Sequence, residues 1–394
     1  MKVFFLDLLA VALFVFALLF SVMVHEFGHF ITARKFNMKV TEFFVGFGKR
    51  IFSFRRGETE YGLKAILAGG YCKIAGMTPN ELMPEGEEDR AFHRHKGWQR
   101  TIVLLAGSIG HLLISVILLF ALFVGIGEQT YSPIIDTVPK CFTNSCTSTT
   151  PAYAAGLQPR DAIVKINGSA ITDINNFSKI INRYQGRQLT FEILRNHKHM
   201  EFQITPVSQI VNGKQVARIG ITINSILIGF QRDNPFVATA KAFGQTGFYI
   251  KESLITIPQI PTKIPAIFSA IFSNKPRDPN GPIGVVGVAR VAEQTFSDSQ
   301  SNNSQKIAQF ILLIVGLNVF VGIFNLIPLL PLDGGHILIA AIDSYRRRKS
   351  LRTGKAVESL NLEKLTPFVV VVFGALVVLA ILLLIADIVN PVHI

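Results

Sequence analysis

The sequence predicts a polytopic α-helical membrane protein of about four transmembrane helices, with membrane-associated β-hairpins and one inserted extracytoplasmic α+β domain. Three observations carry this. Of 394 residues, 49% are hydrophobic and only 16% charged, and the mean hydropathy is +0.40, whereas about a quarter of a soluble globular chain is charged. Four stretches, Val3–Ala33, Thr101–Gly125, Ile307–Leu332 and Pro367–Ile388, are long and apolar enough to cross about 30 Å of hydrocarbon. Between the second and third, the apolar runs give way to short alternating segments separated by turn residues.

The first stretch is too long, and preceded by too little charge, to read as a cleaved signal peptide. Its last turns carry His25-Glu26-Phe27-Gly28-His29. Residues four apart share a helix face, so both imidazoles can address one ion, with Glu26 close enough to take a proton from a water activated there. Zinc suits imidazole ligands, has no geometric preference of its own and acidifies water to a pKa of about 7. H-E-x-x-H also arises by chance, but ionisable residues inside a span cost about 2.5–3.5 kcal/mol each and rarely persist there without a partner.

The loop after this span repeats Phe43-Phe44-Val45-Gly46-Phe47-Gly48 and Ile51-Phe52-Ser53-Phe54, turns at Arg56-Gly57, and continues Tyr61 to Tyr71 through Gly69 and Gly70. Glycine-rich β-hairpins are expected, either solvated or dipping toward the metal, where a free edge can pair with an extended chain. An acidic loop over 78–89 follows, then Trp98-Gln99-Arg100 as an interfacial anchor. In the second span the small residues Ala106-Gly107-Ser108 and Gly110 allow close helix approach. His111 beside them is either a satisfied packing histidine or a participant near the metal.

Residues 154–168 read as a turn, a strand and an Asn167-Gly168 turn, followed by an amphipathic helix through Phe177, Ile180, Ile181 and Tyr184. Strands at 189–193 and 200–204 complete a small α+β unit. Cys141 and Cys146, five apart on the outer side, are a candidate disulfide, and Cys72 a reduced, packed thiol. From 208 to 306 the pattern is weak, with membrane-proximal strands and loops expected over 258–291. The third span contains Asn318 and then Asn325-Leu326-Ile327-Pro328-Leu329-Leu330-Pro331-Leu332-Asp333-Gly334-Gly335-His336. The prolines and glycines break the helix, freeing Asp333 to serve as a third metal ligand. Asn325 can hydrogen-bond a substrate backbone or stabilise an oxyanion, and His336 is expected at the interface. The segments expected are therefore 1–36, 37–98, 99–127, 128–207, 208–306, 307–345 and 346–394.

The net charge of +13 has a topological cause. Thirteen Lys or Arg lie over Arg34–Arg100 and seven more over 346–364, including Lys355 and Lys364. These loops are cytoplasmic by the positive-inside rule, with both termini and the α+β domain outside. No aromatic-interleaved basic motif accompanies the charge, so nucleic acid is not an expected partner.

HEFGH, Gly46-Phe47-Gly48, Gly69-Gly70-Tyr71, Trp98-Gln99-Arg100, Ala155-Gly156-Leu157 with Asp161 and Ile166-Asn167-Gly168, and Asn325-x-x-Pro328 with Leu332-Asp333-Gly334-Gly335 together resemble the site-2 proteases. Among these, the bacterial regulators of sigma-factor signalling with one PDZ domain are most similar. The resemblance implies Zn2+ held by His25, His29 and Asp333, with Glu26 as general base for peptide hydrolysis within the membrane. It implies a substrate-guiding hairpin over about 55–76, which includes Gly69 and Gly70, a substrate-handling Asn325, and a PDZ domain that filters clients by size. Implied partners are single-span proteins such as an anti-sigma factor, remnant signal peptides, an upstream site-1-type protease and the lipid bilayer of the bacterial plasma membrane. The chain departs from the family in having His111 where an asparagine is usual. The alternative is a catalytically silent, metal-containing membrane protein that captures clients through its PDZ domain, though the presence of Glu26 argues for chemistry. A transporter would show inverted repeats, which this chain lacks.

Overall fold

A computed structural model of the chain describes residues 2–392 apart from 78–80, 82, 143–145, 147, 172–173, 197, 212–213, 274–276, 279–280, 300 and 354–364. In chain order the elements are α1 (Lys2–Lys35), β1 (Val40–Arg56), β2 (Thr59–Ile74), α2 (Gly97–Gly125), β3 (Glu128–Thr137), α3 (Pro151–Ala155), β4 (Ala162–Ile166), β5 (Ser169–Ala170) and α4 (Ile174–Arg183). They continue with β6 (Leu189–Arg195), β7 (Lys198–Ile204), β8 (Val207–Val211), β9 (Lys214–Arg218), β10 (Thr222–Gln231), α5 (Pro235–Thr256), α6 (Ile260–Phe272), α7 (Val285–Ser297), α8 (Asn303–Asn325), α9 (Asp333–Thr353) and α10 (Thr366–Val389). Two compact units result, one from 1–124 with 234–394, the other Gly125–Asp233.

In the first unit α1 and α2 touch backbone to backbone. A Cβ on Gly28 would lie 2.4 Å from the Ala106 carbonyl oxygen, and one on Gly110 3.1 Å from that of Val24. Only small residues permit so close a crossing. Phe30, Ala33, Met38, Val40, Ile74, Phe92, Val103 and Leu104 form a buried core where α1, the hairpin and the start of α2 meet.

β1 and β2 are each long enough to bend and pair twice. Phe43 pairs with both Cys72 and Tyr61, and Phe54 also pairs with Tyr61. The order across the sheet is therefore 50–56, 59–64, 42–47, 70–74, four short strands made from two. Gly46 and Gly48, both at φ +83°, lie at the bend of β1, and a side chain on Gly46 would also strike the carbonyl oxygens of Lys64 and Ile66. The outer half of the hairpin leaves Ile51, Phe52, Phe54, Ile66 and Leu67 exposed.

Among the described residues, five helices are long and apolar enough to cross a membrane, one more than the sequence suggests. The addition is Pro235–Phe272, and its path corrects the strand-and-loop expectation over 258–291: α6 and α7 are helices. Proline-rich sequence conceals this. Pro235 and Pro261 sit in first helical turns, where the missing N–H has no partner to lose, and only Pro265 lies inside a helix. α7 packs on α1 and α8 through Val288, Ala292, Phe14 and Ile314. At its end, α10 is tied to this region by a buried ion pair in which Arg277 donates to Asp387 at 2.7 Å. α8 stops at Asn325, as the prolines require. Lys355, Lys364 and part of the 78–89 loop lie outside the described residues.

The second unit is a sheet in the order β10-β3-β4-β6-β7, with β5 beside β4. Asn167 and Gly168 take the positive φ values of 48° and 77° that a tight hairpin turn needs. Phe177 and Ile181 of α4 enter a core with Ile163, Ile166, Leu189, Phe191 and Ile193. β10, in a stretch whose sequence pattern is weak, pairs with β3 along most of its length. Asp161, 1% exposed, is held bidentately by Arg195. Cys141 and Cys146 form a disulfide.

Arg90 forks onto both oxygens of Glu58, at 2.7 Å each, pinning the turn between β1 and β2 to the segment that leads into α2. The guanidinium's hydrogen bonds hold the Glu58 carboxyl below its usual range. A depressed carboxyl contributes stability above its unfolded pKa of about 4.3, and that stability is lost as pH falls through the lower folded value. Hydrogen exchange of β1 and β2 is expected to be faster in Glu58→Gln than in wild type at pH 7, with the difference shrinking as pH falls below about 4.3 and lost below the depressed folded value.

Candidate metal centre

α1 presents His25 and His29 on one face, both 7% exposed, with ring centroids 4.6 Å apart. Their Nε2 atoms approach to 3.0 Å. The third group comes from the start of α9, where Asp333 Oδ2 lies 3.3 Å from His25 Nε2 and 3.4 Å from His29 Nε2. Two close approaches explain how Asp333 gets there. A Cβ on Gly334 would sit 2.2 Å from the Leu326 carbonyl oxygen, and one on Gly335 2.5 Å from the Leu330 nitrogen. The Leu326–Leu332 connection is thus folded directly against the first turn of α9, which two glycines alone allow.

The three donor atoms fit a tetrahedral cation. His29 Nδ1 donates to the Val103 carbonyl at 2.7 Å, which leaves Nε2 as a bare lone pair. Asp333 Oδ2 is buried and without a hydrogen-bond partner despite its two nitrogen neighbours. Three Lewis bases therefore face one another, and roughly 3.3 Å is the edge expected for a tetrahedron of zinc–nitrogen bonds near 2.05 Å. α2 leaves the necessary space at Gly107, where a Cβ would stand 2.5 Å from His29 Nε2 and 2.6 Å from His25 Cε1.

Glu26 is on the same turn, and its carboxylate is hydrogen-bonded by the backbone of Cys72. The edge of the sheet over 70–74 thus lies against the motif. Gly70 is needed there as well, because a Cβ would lie 2.6 Å from the Met23 sulfur. Gly69, at φ +142°, is 3.1 Å from the Phe47 ring by the same measure.

His111 is 2% exposed and its ring lies 5.1 Å from that of His25. Its Nδ1 donates to Asn318 Oδ1 at 2.9 Å, and the Asn318 amide is oriented by its own bond to the Ile314 carbonyl. It is thus a hydrogen-bonded, buried histidine beside the cluster of His25, His29 and Asp333. Asn325 ends α8, half-buried, eight residues before Asp333. His336 is partly buried and outside the three-residue cluster. Sequence reasoning missed the part that Gly107, the Val103 carbonyl and the Cys72 amide play. Only Gly107 carried a signal, as a small residue in an apolar helix.

A buried His-His-Asp cluster with an adjacent glutamate, built on helices apolar enough to span a bilayer, defines a membrane-embedded metallopeptidase. The model of peptidase family M50 matches residues 13–363, and the chain belongs to that family. It is 33% identical over 403 residues to the zinc metalloprotease Rip1 of Mycobacterium tuberculosis, covering 97% of this chain and 98% of the relative. To Rip1 of Mycolicibacterium smegmatis it is 33% identical over 410 residues, covering 98% of each. A PDZ-domain crystal structure from Listeria innocua aligns with 25% of this chain and 94% of its own at 21% identity, with a TM-score of 0.19.

Gly107→Ala is expected to weaken zinc binding at least tenfold with little change in helix content, as read by chelator competition and circular dichroism.

Proposed function

We propose that this protein is a zinc-dependent endopeptidase that cuts a peptide bond inside the membrane-spanning segment of a single-span protein. The observation that carries the reading is the convergence of His25, His29 and Asp333 with Glu26 one residue from the first ligand. Such sites are common to zinc hydrolases, and the two Rip1 relatives are named zinc metalloproteases. When bound, zinc supplies Lewis-acid polarisation of a carbonyl and acidifies water. Glu26 then acts as general base, with its carboxylate held in place by the Cys72 amide. A helical substrate must unwind to present its carbonyl, and the hairpin edge over 70–74 offers main-chain partners to the unwound strand. His111 completes the packing behind His25, and Asn325 is assigned to substrate handling.

The exposed apolar residues of the outer hairpin support seating at the bilayer interface. We assign the chain to the bacterial plasma membrane, with both termini and the PDZ-like unit outside. Its clients are anti-sigma factors or remnant signal peptides, already shortened by a site-1-type protease, and the PDZ-like unit selects them by the size of what remains.

Purified full-length protein is expected to cleave a truncated single-span reporter in liposomes. Glu26→Gln is expected to lower the rate by about 10²–10⁴-fold, the usual worth of a general base, while still binding one zinc per chain. Cleavage that survives both this substitution and a chelator sinks the proposal.

A further inference from the structure

Asp333 is the first residue of α9, so where it points depends on how the whole helix is held. Ten residues on, about 15 Å along the axis, Asp343 meets Arg100 of α2, with Nη1 3.2 Å from Oδ2. Arg100 is 7% exposed, and its guanidinium also covers the Phe92 ring at 5.2 Å. Here the two helices touch. A Cβ on Gly97 would fall 1.8 Å from Ser344 Oγ and 3.2 Å from the Ala340 carbonyl oxygen. Arg100 and Gly107 are seven residues apart on α2, about 10 Å, and Gly107 borders the two imidazoles. α2 and α9 thus meet near the ligands at one end and at Arg100–Asp343 at the other.

We propose that Arg100 and Asp343 are positioning residues for the metal centre: their ion pair, formed by a buried guanidinium and a partly exposed carboxylate, fixes the axial position and rotation of α9, and so sets Asp333 against His25 and His29. This rests on the reading of those three residues as zinc ligands. The chemistry favours such a role. The guanidinium is buried, so leaving it without its carboxylate is costly, and its flat face over the Phe92 ring with Nη1 on Asp343 gives it one orientation that a lysine would not hold.

The test uses full-length protein in detergent micelles, with zinc affinity measured by chelator competition, coordination geometry by the visible absorption of bound Co2+, and folding by melting temperature. Arg100→Gln and Asp343→Asn are each expected to weaken zinc binding about 10–100-fold, the usual effect of losing an outer-shell support, and to alter the Co2+ bands. The double variant should fall little further than either single one, because the two act as a unit. Arg277→Gln, at the buried pair with Asp387, should lower the melting temperature without changing zinc affinity. If Arg100→Gln fails to fold, Arg100→Lys provides the reading: charge without the flat guanidinium over Phe92 is expected to leave zinc binding several-fold weak and the Co2+ spectrum altered. Wild-type zinc affinity and Co2+ bands in folded variants overturn the inference, as does an equal loss of zinc in Arg277→Gln. A wild-type chain that takes up no zinc overturns the metal reading itself, and this inference with it.

Discussion

Two imidazole nitrogens and a carboxylate oxygen face one another within 3.0–3.4 Å inside a helical bundle. Without a cation this cluster is a concentration of unsatisfied lone pairs in a medium that penalises them. Much of the neighbouring packing can be understood as what brings these three atoms together. Three helices must approach more closely than ordinary side chains allow, and glycine stands at each approach: Gly28 and Gly107 between α1 and α2, Gly97 between α2 and α9, Gly334 and Gly335 under the α8–α9 connection. In lipid there is little hydrophobic force to drive helices together, so contact of this kind depends on small residues and on polar ties. The ties are the His29–Val103, His111–Asn318 and Arg100–Asp343 pairs.

The hairpin answers a second constraint. Strand edges and irregular backbone are tolerated at membrane depth only where protein or a water cavity satisfies them. Folding β1 and β2 back on themselves leaves few unpaired groups and turns the segment over 70–74 toward α1, where an amide of β2 serves Glu26. Tyr71, stacked on Phe44 and hydrogen-bonded to Glu42, holds that edge in line. The Glu26 carboxylate thereby lies against an element distant from it in sequence.

The unit Gly125–Asp233 follows the ordinary rules of soluble domains, with alternating strands, an amphipathic helix and a buried Asp161–Arg195 pair. It was legible for that reason. The helices after it were not, because Pro235 and Pro261 lie in first helical turns, where they are harmless, and α6 continues through Pro265, whereas a composition-based reading sees all three as breakers. The weak pattern of β10 has a similar origin, since its partner β3 lies some 90 residues earlier.

What the sequence determined by itself was local and periodic. The i, i+4 spacing of His25 and His29 puts both imidazoles on one face of a helix whatever surrounds it, Pro328 and Pro331 stop α8 before Asp333, and Asn167-Gly168 makes a hairpin turn. Asp333 was legible only as an anomaly, a lone carboxylate beside a broken span. Tertiary structure decided that Asp333 meets the histidines, that Gly107 is the space beside them, that Cys72 supports Glu26, and that Arg100 pairs with Asp343 across 243 residues. Sequence patterns record the period of one element, whereas these contacts depend on the distance between helices, and that distance is set by which small residues happen to face each other.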